Sequence, residues 1–388
     1  MRAEPFHVDL PQAELDELHR RLDATRWADD FGNEDWRYGV EAGWLREMVR
    51  YWRHDYDWRA EEARINAVPQ YRVVIDDIPI HFVHVRGKGP NPRPLLLTHG
   101  WPWTFWDYRK VIGPLTDPAA HGGDPAQSFD LVIPSLPGYG FSVPLRKTGI
   151  DVPAIARLWT RLMTDVLGYE RFGAAGGDWG APITAQLGHA HDAHVTGVYM
   201  TLVVYPGLDL AALTPDAFAP DEAWMVRRMA EAAPTIASHI TVQSSDPQTL
   251  AYAMVDSPVG TAAWLWERRR AWSDCNGDVL SAYTRDDLCT LAMLYWMNGS
   301  IGTSFRLYYE HFRNGWITPP EHDRKPVIAV PTGYGIFPRD VAFAPRAVVA
   351  RDTNLARWTI MPSGGHFAPF ERPDLVSNEL RTFFSAIG

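Results

Sequence analysis

The chain has 388 residues, of which 46% are hydrophobic and 22% are charged, and its formal net charge at pH 7 is -10. This length predicts one large domain with an insertion rather than several small modules. The negative charge argues against a nucleic acid partner, and the lack of an uncharged apolar stretch of about 18 residues argues against a membrane span.

The cysteines and the first residues bear on the cellular compartment. The two cysteines, Cys275 and Cys289, offer no disulfide framework, and the first residues lack the apolar core of a signal peptide. We therefore expect a cytoplasmic protein. The sequence leaves open whether the chain forms a homodimer.

Helical periodicity dominates the first part of the chain. Apolar residues recur at helical spacing at Leu15, Leu18 and Leu22, and the segment 71–85 then has the pattern of a strand. We expect residues 1–89 to form an N-terminal extension that contains helices and the first strands.

A tight turn follows the next apolar strand, residues 95–98. It reads His99-Gly100-Trp101-Pro102, and a backbone amide in such a turn can point at a neighbouring strand end. We expect the Trp101 amide to be one donor of an oxyanion hole. His99 is more typical of a structural hydrogen-bonding residue than of a second base.

The most informative feature is the run 172–180, in which a predicted buried strand passes through glycines into a helix with Asp178 at the apex. This pattern indicates a nucleophile elbow that carries a carboxylate, and a side chain at Gly176 or Gly180 would collide with the neighbouring backbone. The Trp179 amide is the second predicted oxyanion donor. A glycine-rich turn with an incidental N-capping aspartate is the simpler interpretation, which the rest of the chain weakens.

An aspartate at the elbow determines the predicted chemistry. A serine that opened an epoxide or displaced a halide would leave an ether, which water does not readily cleave. A carboxylate leaves an ester, which an activated water can hydrolyse. Asp178 therefore predicts attack on a saturated carbon, a covalent alkyl-enzyme and then hydrolysis.

The first part of the core, residues 90–208, is followed by helical sequence rich in tryptophan. We expect this stretch, residues 209–320, to form a helical cap. Core packing is the commoner role for any one of the 17 tryptophans of the chain. An apolar, aromatic pocket would nevertheless favour a hydrophobic substrate, aryl-substituted compounds included.

The second part of the core, residues 321–388, supplies the predicted general base. His366 lies on a glycine loop directly after the apolar segment 358–361. Asp340, on the loop beyond the preceding predicted strand, is the acid expected to orient the base, with Asp352 as a weaker rival.

Two further motifs suggest ligands only weakly. His189, His191, Asp192 and His194 resemble a metal-binding motif whose aspartate is displaced by one place, and they fall where a helix should end. The run 138–140 lacks the third glycine and the acidic partner of a dinucleotide fingerprint. We expect no metal and no cofactor.

Together these motifs resemble the microsomal-type epoxide hydrolases, including their soluble bacterial relatives, nearly end to end. The matching motifs lie at 99–102, 176–180, 256–260, 331–334 and 364–368. The resemblance implies an α/β-hydrolase fold, with a mostly parallel central sheet, helices on both faces, a helical cap and an N-terminal extension that wraps the catalytic domain. It also implies that a small-molecule epoxide and water are converted to a vicinal diol.

The resemblance further implies two cap tyrosines that bind the epoxide oxygen and supply a proton. Tyr308 lies in a matching Arg-x-Tyr-x-Glu pattern, and Tyr309 is its structural neighbour. At the other position this chain has His239, which could donate to the same oxygen, could be a spectator, or could lie in a realigned segment where another residue donates. Trp103 stands where relatives commonly have glycine, next to Pro102, and we expect these two residues to shape the substrate pocket.

Two alternatives stay open at this point. A haloalkane dehalogenase shares the Asp-His-acid machinery and would hold the halide with N–H donors such as the side chains of Trp101 and Trp179, but a halide needs no proton from Tyr308. A catalytically silent binding protein is suggested by His239, and the intact triad argues against it.

Overall fold

The computed structural model of the protein describes residues 1–313 and 324–388. No helix within these ranges is long and apolar enough to cross a membrane. The predicted boundary between the cap and the second part of the core, at residues 320 and 321, lies outside the described residues.

Within the described residues, a nine-stranded sheet forms the centre of the fold. Its strands, in chain order, are β1 (Glu4–Pro5), β2 (Gln70–Ile75), β3 (Ile78–Val85), β4 (Arg93–Thr98), β5 (Phe129–Pro134), β6 (Phe172–Gly176), β7 (Val195–Met200), β8 (Ile328–Ile336) and β9 (Thr353–Ile360). They lie in the order β1-β2-β3-β5-β4-β6-β7-β8-β9. From β5 to β9 in this order neighbours pair in parallel, whereas the pairs β1-β2, β2-β3 and β3-β5 are antiparallel. The mostly parallel sheet that the resemblance implies is confirmed.

Helices flank this sheet and form the cap. In chain order they are α1 (Gln12–Asp23), α2 (Ala42–His54), α3 (Trp58–Asn66), α4 (Arg109–Thr116), α5 (Val152–Arg161), α6 (Gly180–Ala190), α7 (Ala223–Ser245), α8 (Pro247–Asp256), α9 (Pro258–Trp272), α10 (Arg285–Trp296), α11 (Ser300–Ser304), α12 (Arg306–Arg313), α13 (Arg346–Asp352), α14 (Ala368–Glu371) and α15 (Pro373–Ala386). Helices α5 and α6 pack together on one face of the sheet, and α4 and α15 pack together on the other. Helices α7 to α12 lie in the predicted cap.

The segment 71–85, expected to be strand-like throughout, is a hairpin of β2 and β3. Asp76 and Asp77 occupy its two-residue turn with φ angles of 52° and 60°, and Ile75 pairs with Ile78 across it. Positive φ at both central residues matches the right-handed twist of the strands. The turn was missed because it lacks the usual glycine.

The N-terminal helices pack against the cap. Trp52 on α2 is buried, and its ring centroid lies 5.9 Å from that of Trp266 on α9. The Tyr51 hydroxyl donates to the Asp286 carboxylate at 2.7 Å. Aromatic burial at this junction stabilises the contact between the extension and the cap.

A buried ion pair joins the cap to the loop that follows β4. The Arg269 guanidinium on α9 lies 2.7 Å from the Asp107 carboxylate, and the two side chains are 2% and 6% exposed. Arg269 also donates to the Pro102 carbonyl at 2.8 Å, and Asp107 accepts from the Thr104 amide at 2.7 Å. Because these charges are out of water, each depends on its partners.

Removing one member of this pair should therefore be costly. We expect Arg269→Met to lower the free energy of unfolding by about 3–5 kcal/mol, because Asp107 would stay buried without its counter-charge. Chemical denaturation measures this change. The control is Arg37→Met in the exposed pair of Arg37 and Asp35, which should change stability by less than about 1 kcal/mol. Equal effects in the two variants would contradict the expectation.

Candidate active site

Three chemically reactive side chains meet at one edge of the sheet. Asp178 follows β6, Asp340 follows β8 and His366 follows β9. These strands are parallel neighbours or near neighbours, so their carboxyl ends lie at the same edge. The loop after β4, which carries Trp101, reaches the same place.

Asp178 occupies a strained turn between β6 and α6. Its φ angle is 51°, in the left-handed region that residues with side chains rarely adopt. A Cβ at Gly176 would lie 2.5 Å from the carbonyl oxygen of Gly180, and a Cβ at Gly180 would collide with the carbonyl of Thr98. Strand β6 and helix α6 therefore pack as closely at this turn as the sequence predicts.

Two backbone amides bind the carboxylate of Asp178. The amides of Trp101 and Trp179 each donate to its Oδ1 at 2.7 Å. A Cβ at Gly100 would collide with the Asp178 side chain, so the loop can approach this closely only with glycine there. The two amides that the sequence assigns to the oxyanion hole thus converge on one oxygen atom.

His366 lies between the two carboxylates. Its Nε2 is 3.0 Å from Asp178 Oδ2, and its Nδ1 is 2.7 Å from Asp340 Oδ1. Burial disfavours the imidazolium, but the Asp340 charge and the hydrogen bonds to both carboxylates outweigh burial and raise the pKa of His366 to about 9. Asp340 is itself fixed by the Val341 amide, which donates to the same Oδ1 at 2.7 Å.

Asp352 and His99, the other two candidates from the sequence, form hydrogen bonds outside this group of three side chains. Asp352 accepts hydrogen bonds from Arg351 at 2.7 Å and from Tyr205 at 3.1 Å. His99 contacts the Gly100 carbonyl through Nδ1 at 2.9 Å and accepts from the Leu136 amide at 3.1 Å through Nε2. Burial lowers the pKa of His99 to about 4. Its hydrogen bonds are those of a neutral residue that joins two loops.

An apolar cavity of about 160 Å³ opens onto Asp178. Tyr308 on α12 and His239 on α7 share its wall with Asp178. The rest of the wall is apolar, formed by Trp179, Pro182, Leu202, Val204, Leu210, Ile236, Ile240, Trp272, Phe312, Val341 and Ala342. The pKa of Tyr308 lies well above 10 because of burial and the nearby Asp178 charge, so its phenol is a proton donor and not an anion.

His239 stacks on the loop after β4. Its ring lies 5.2 Å from that of Trp101 at an interplanar angle of 12°, and burial lowers its pKa to about 3. Nδ1 lies 3.4 Å from the Thr235 carbonyl, which favours the tautomer with the proton on Nδ1. In that tautomer Nε2 accepts hydrogen bonds, so a donor role for His239 would require the other tautomer.

Trp103 and Pro102 are not among the described residues that line the cavity. Trp103 is fully buried, with its ring edge-on to His366 at 5.6 Å, and the Pro102 carbonyl faces Arg269. That these two residues shape the pocket stays a prediction. The tight turn of the loop places the Trp103 ring against His366.

The histidines near the end of α6 contact backbone carbonyls. His189 Nδ1 lies 2.5 Å from the Val327 carbonyl, and His194 Nδ1 lies 3.0 Å from the Glu170 carbonyl. Within the described parts of the chain, no three acidic, histidine or cysteine side chains are grouped so that they could hold a metal ion.

The sequence did not identify most of the cavity wall. Ile236 and Ile240 flank His239 on α7, one helical turn apart. That spacing could have been found by counting along the predicted helix. Val341 and Ala342, directly after Asp340, carried no comparable signal because their position depends on the loop conformation.

Comparison with known proteins agrees with this geometry. Residues 3–108 match the family described as the epoxide hydrolase N terminus, and residues 93–238 match the alpha/beta hydrolase fold. A protein of Stigmatella aurantiaca that is provisionally named an epoxide hydrolase is 39% identical over 98% of this chain and 84% of its own length.

Two further relatives extend the comparison. Epoxide hydrolase 1 of Oryctolagus cuniculus is 32% identical, and the match covers 99% of this chain and 89% of that protein. The crystal structure of juvenile hormone epoxide hydrolase from the silkworm Bombyx mori has a TM-score of 0.88 and 27% identity, and the match covers 99% of this chain and 94% of that one. The chain therefore belongs to the epoxide hydrolase family and is an enzyme of this kind.

Proposed function

We propose that the protein converts a hydrophobic epoxide, aryl-substituted epoxides included, into a vicinal diol through a covalent ester on Asp178. The observation that carries this proposal is the arrangement of the Asp178 carboxylate. One of its oxygens accepts hydrogen bonds from the Trp101 and Trp179 amides, and the other contacts His366. The same carboxylate faces the apolar cavity that Tyr308 lines.

In the first step, an Asp178 oxygen attacks one carbon of the epoxide ring. The new carbon–oxygen bond forms as the ring carbon–oxygen bond breaks, and the ring oxygen takes a proton from Tyr308. This proton is needed because an alkoxide forms in an apolar cavity. A halide would need none, so the phenol favours the epoxide over the haloalkane.

In the second step, His366 takes a proton from water as that water attacks the ester carbonyl. The Trp101 and Trp179 amides are placed to stabilise the oxyanion, because they already bind a carboxylate oxygen of Asp178. The diol leaves with a proton from His366. The proton left on the Asp178 carboxyl group passes to His366, whose Nε2 lies 3.0 Å from Asp178 Oδ2 in the free enzyme, so Asp178 and His366 both return to their starting forms.

The charge on Asp178 controls the basicity of His366 in this scheme. Before the first step, the two carboxylates hold the pKa of His366 at about 9. Ester formation removes the Asp178 charge and its hydrogen bond to His366. The pKa of His366 then falls, because fewer interactions offset the lowering caused by burial. The His366 imidazolium then gives its proton to the Tyr308 phenolate that the first step left, which restores the phenol and leaves a neutral imidazole that can act as a base.

The cavity supports a compact, apolar substrate. Its volume of about 160 Å³ and its largely aliphatic and aromatic wall offer few polar partners besides Asp178, Tyr308 and His239. The substrate's binding energy would then come from burial of apolar surface, with the epoxide oxygen placed by the phenol.

Trapping of the ester tests the proposed intermediate. With styrene oxide, we expect the wild type to form diol and His366→Gln to gain one substrate mass on the peptide that contains Asp178, because ester hydrolysis lacks its base. Intact-protein and peptide mass spectrometry measure the increment. Asp178→Asn should form neither adduct nor diol. An adduct on another residue would overturn the assignment of the nucleophile.

The proton donor can be tested separately. We expect Tyr308→Phe to slow ester formation by about 10²-fold, because the alkoxide loses its acid. The rate of mass gain in a His366→Gln background isolates this step. Tyr309→Phe is the matched control, since Tyr309 is the neighbouring tyrosine and is not among the described residues that line the cavity. Equal rates in the two variants would argue against Tyr308 as the acid.

The raised pKa of His366 predicts a pH-dependent contribution to stability. The pKa is about 9 in the folded protein and about 6.5 in an unfolded chain. The contribution is therefore complete below pH 6.5 and is lost as pH rises through 9. We expect the stability difference between wild type and His366→Gln to shrink by up to about 3 kcal/mol between pH 6 and pH 10, measured by chemical denaturation.

A second histidine provides the control for this titration. The pKa of His239 is lowered to about 3 by burial, so His239 stays neutral from pH 7 to pH 10. The stability difference between wild type and His239→Gln should be constant over that range. A constant difference for His366→Gln as well would contradict the raised pKa.

A further inference from the structure

A third carboxylate lies behind the base and has no part in the steps above. Glu371 ends α14 and is largely buried. Its Oε1 accepts from the Phe367 amide at 3.0 Å, and its Oε2 accepts from the Gly365 amide at 3.1 Å. These two amides flank His366 on either side in the chain.

The cap supplies the remaining partners of this loop. The Trp272 carbonyl accepts from the His366 amide at 2.9 Å, and Asp274 Oδ2 accepts from the Gly364 amide at 2.9 Å. All four consecutive amides from 364 to 367 are therefore bound, two of them by Glu371. The Asp274 amide in turn donates to Glu371 Oε2 at 2.7 Å, so Glu371 joins the loop to the cap.

Such support matters because the loop has little stiffness of its own. Gly364 has a φ angle of 111°, and glycine permits many other conformations when nothing holds it. A Cβ at Gly365 would lie 2.6 Å from the Trp272 carbonyl oxygen, which shows how closely the cap backbone approaches. Burial raises the pKa of Glu371 to about 7, and the three backbone amides that donate to it oppose this rise. The ionised form accepts stronger hydrogen bonds than a neutral acceptor does, so a carboxylate is well suited to fix these amides.

We infer that Glu371 is a positioning residue for His366, and that it acts by fixing the backbone on both sides of the base and joining it to the cap residue Asp274. This inference rests on the proposed function, in which His366 activates water. Glu371 should therefore serve ester hydrolysis much more than ester formation, since the attacking carboxylate is held independently by the Trp101 and Trp179 amides.

The test is Glu371→Gln, in which one acceptor oxygen is replaced by an NH₂ group that faces a backbone N–H. We expect rapid-quench mass spectrometry with styrene oxide to show ester formation within about twofold of wild type, with hydrolysis slowed by about 10-fold or more, so that the ester accumulates. Hydrolysis at the wild-type rate, or equal slowing of both steps, would overturn the inference.

A matched variant separates positioning from general destabilisation. Glu379 is also a buried carboxylate with several partners, namely Arg357, Tyr199 and Thr359, but it contacts none of the amides around His366. Glu379→Gln should reduce stability without ester accumulation. Asp274→Asn, which weakens the hydrogen bond to the Gly364 amide and leaves the two Glu371 contacts with the loop in place, should also slow hydrolysis, but less than Glu371→Gln does.

A readout without substrate distinguishes this inference from the proposed function. The proton between His366 Nδ1 and Asp340 is expected to give a downfield proton NMR signal in the wild type. We expect that signal to broaden or shift in Glu371→Gln and to be unchanged in Glu379→Gln. An unchanged signal in Glu371→Gln would overturn the inference, whereas failure to trap any ester in His366→Gln would instead overturn the proposed mechanism.

Discussion

The contact between Asp178 and His366 is the interaction on which the rest of the site depends. A carboxylate beside an apolar cavity is costly unless donors compensate for lost water, and here two amides and an imidazole do so. The same donors set what the carboxylate can do. Because His366 is held by opposite charges, loss of the charge on Asp178 changes its basicity, and each proposed step prepares the next.

The cap supports the arrangement of Asp178 and His366 as well as forming part of the cavity wall. Through Arg269 it holds the loop that carries the Trp101 amide, and through residues 272–274 it holds the loop that carries His366. Both contacts are polar and largely buried, so they define a geometry more strictly than apolar packing would. A displacement of the cap at α9 would therefore move the Trp101 amide and His366 together.

Much of the site could be predicted from sequence because its residues lie in short, strained motifs. The elbow around Asp178 and the loop around His366 need glycine at defined positions, and such requirements are visible without coordinates. The position of Trp103 was not predictable in this way, since a bulky residue next to a pocket motif can face either side of its loop. Glu371 was also missed as a candidate, because its role arises from amides brought together only by the fold. The turn between the two strands of segment 71–85 was not predicted, because aspartates and not glycines occupy it.

The backbone hydrogen bond between His366 and Trp272 has a consequence for how substrate preference can change during evolution. That part of the cap is constrained because its main chain itself binds the His366 amide, whatever the side chains are. Ile236 and Ile240 contribute apolar side chains of α7 to the cavity wall. Substitutions there can alter the shape of the cavity and leave this backbone hydrogen bond in place, so new specificities should arise first along α7.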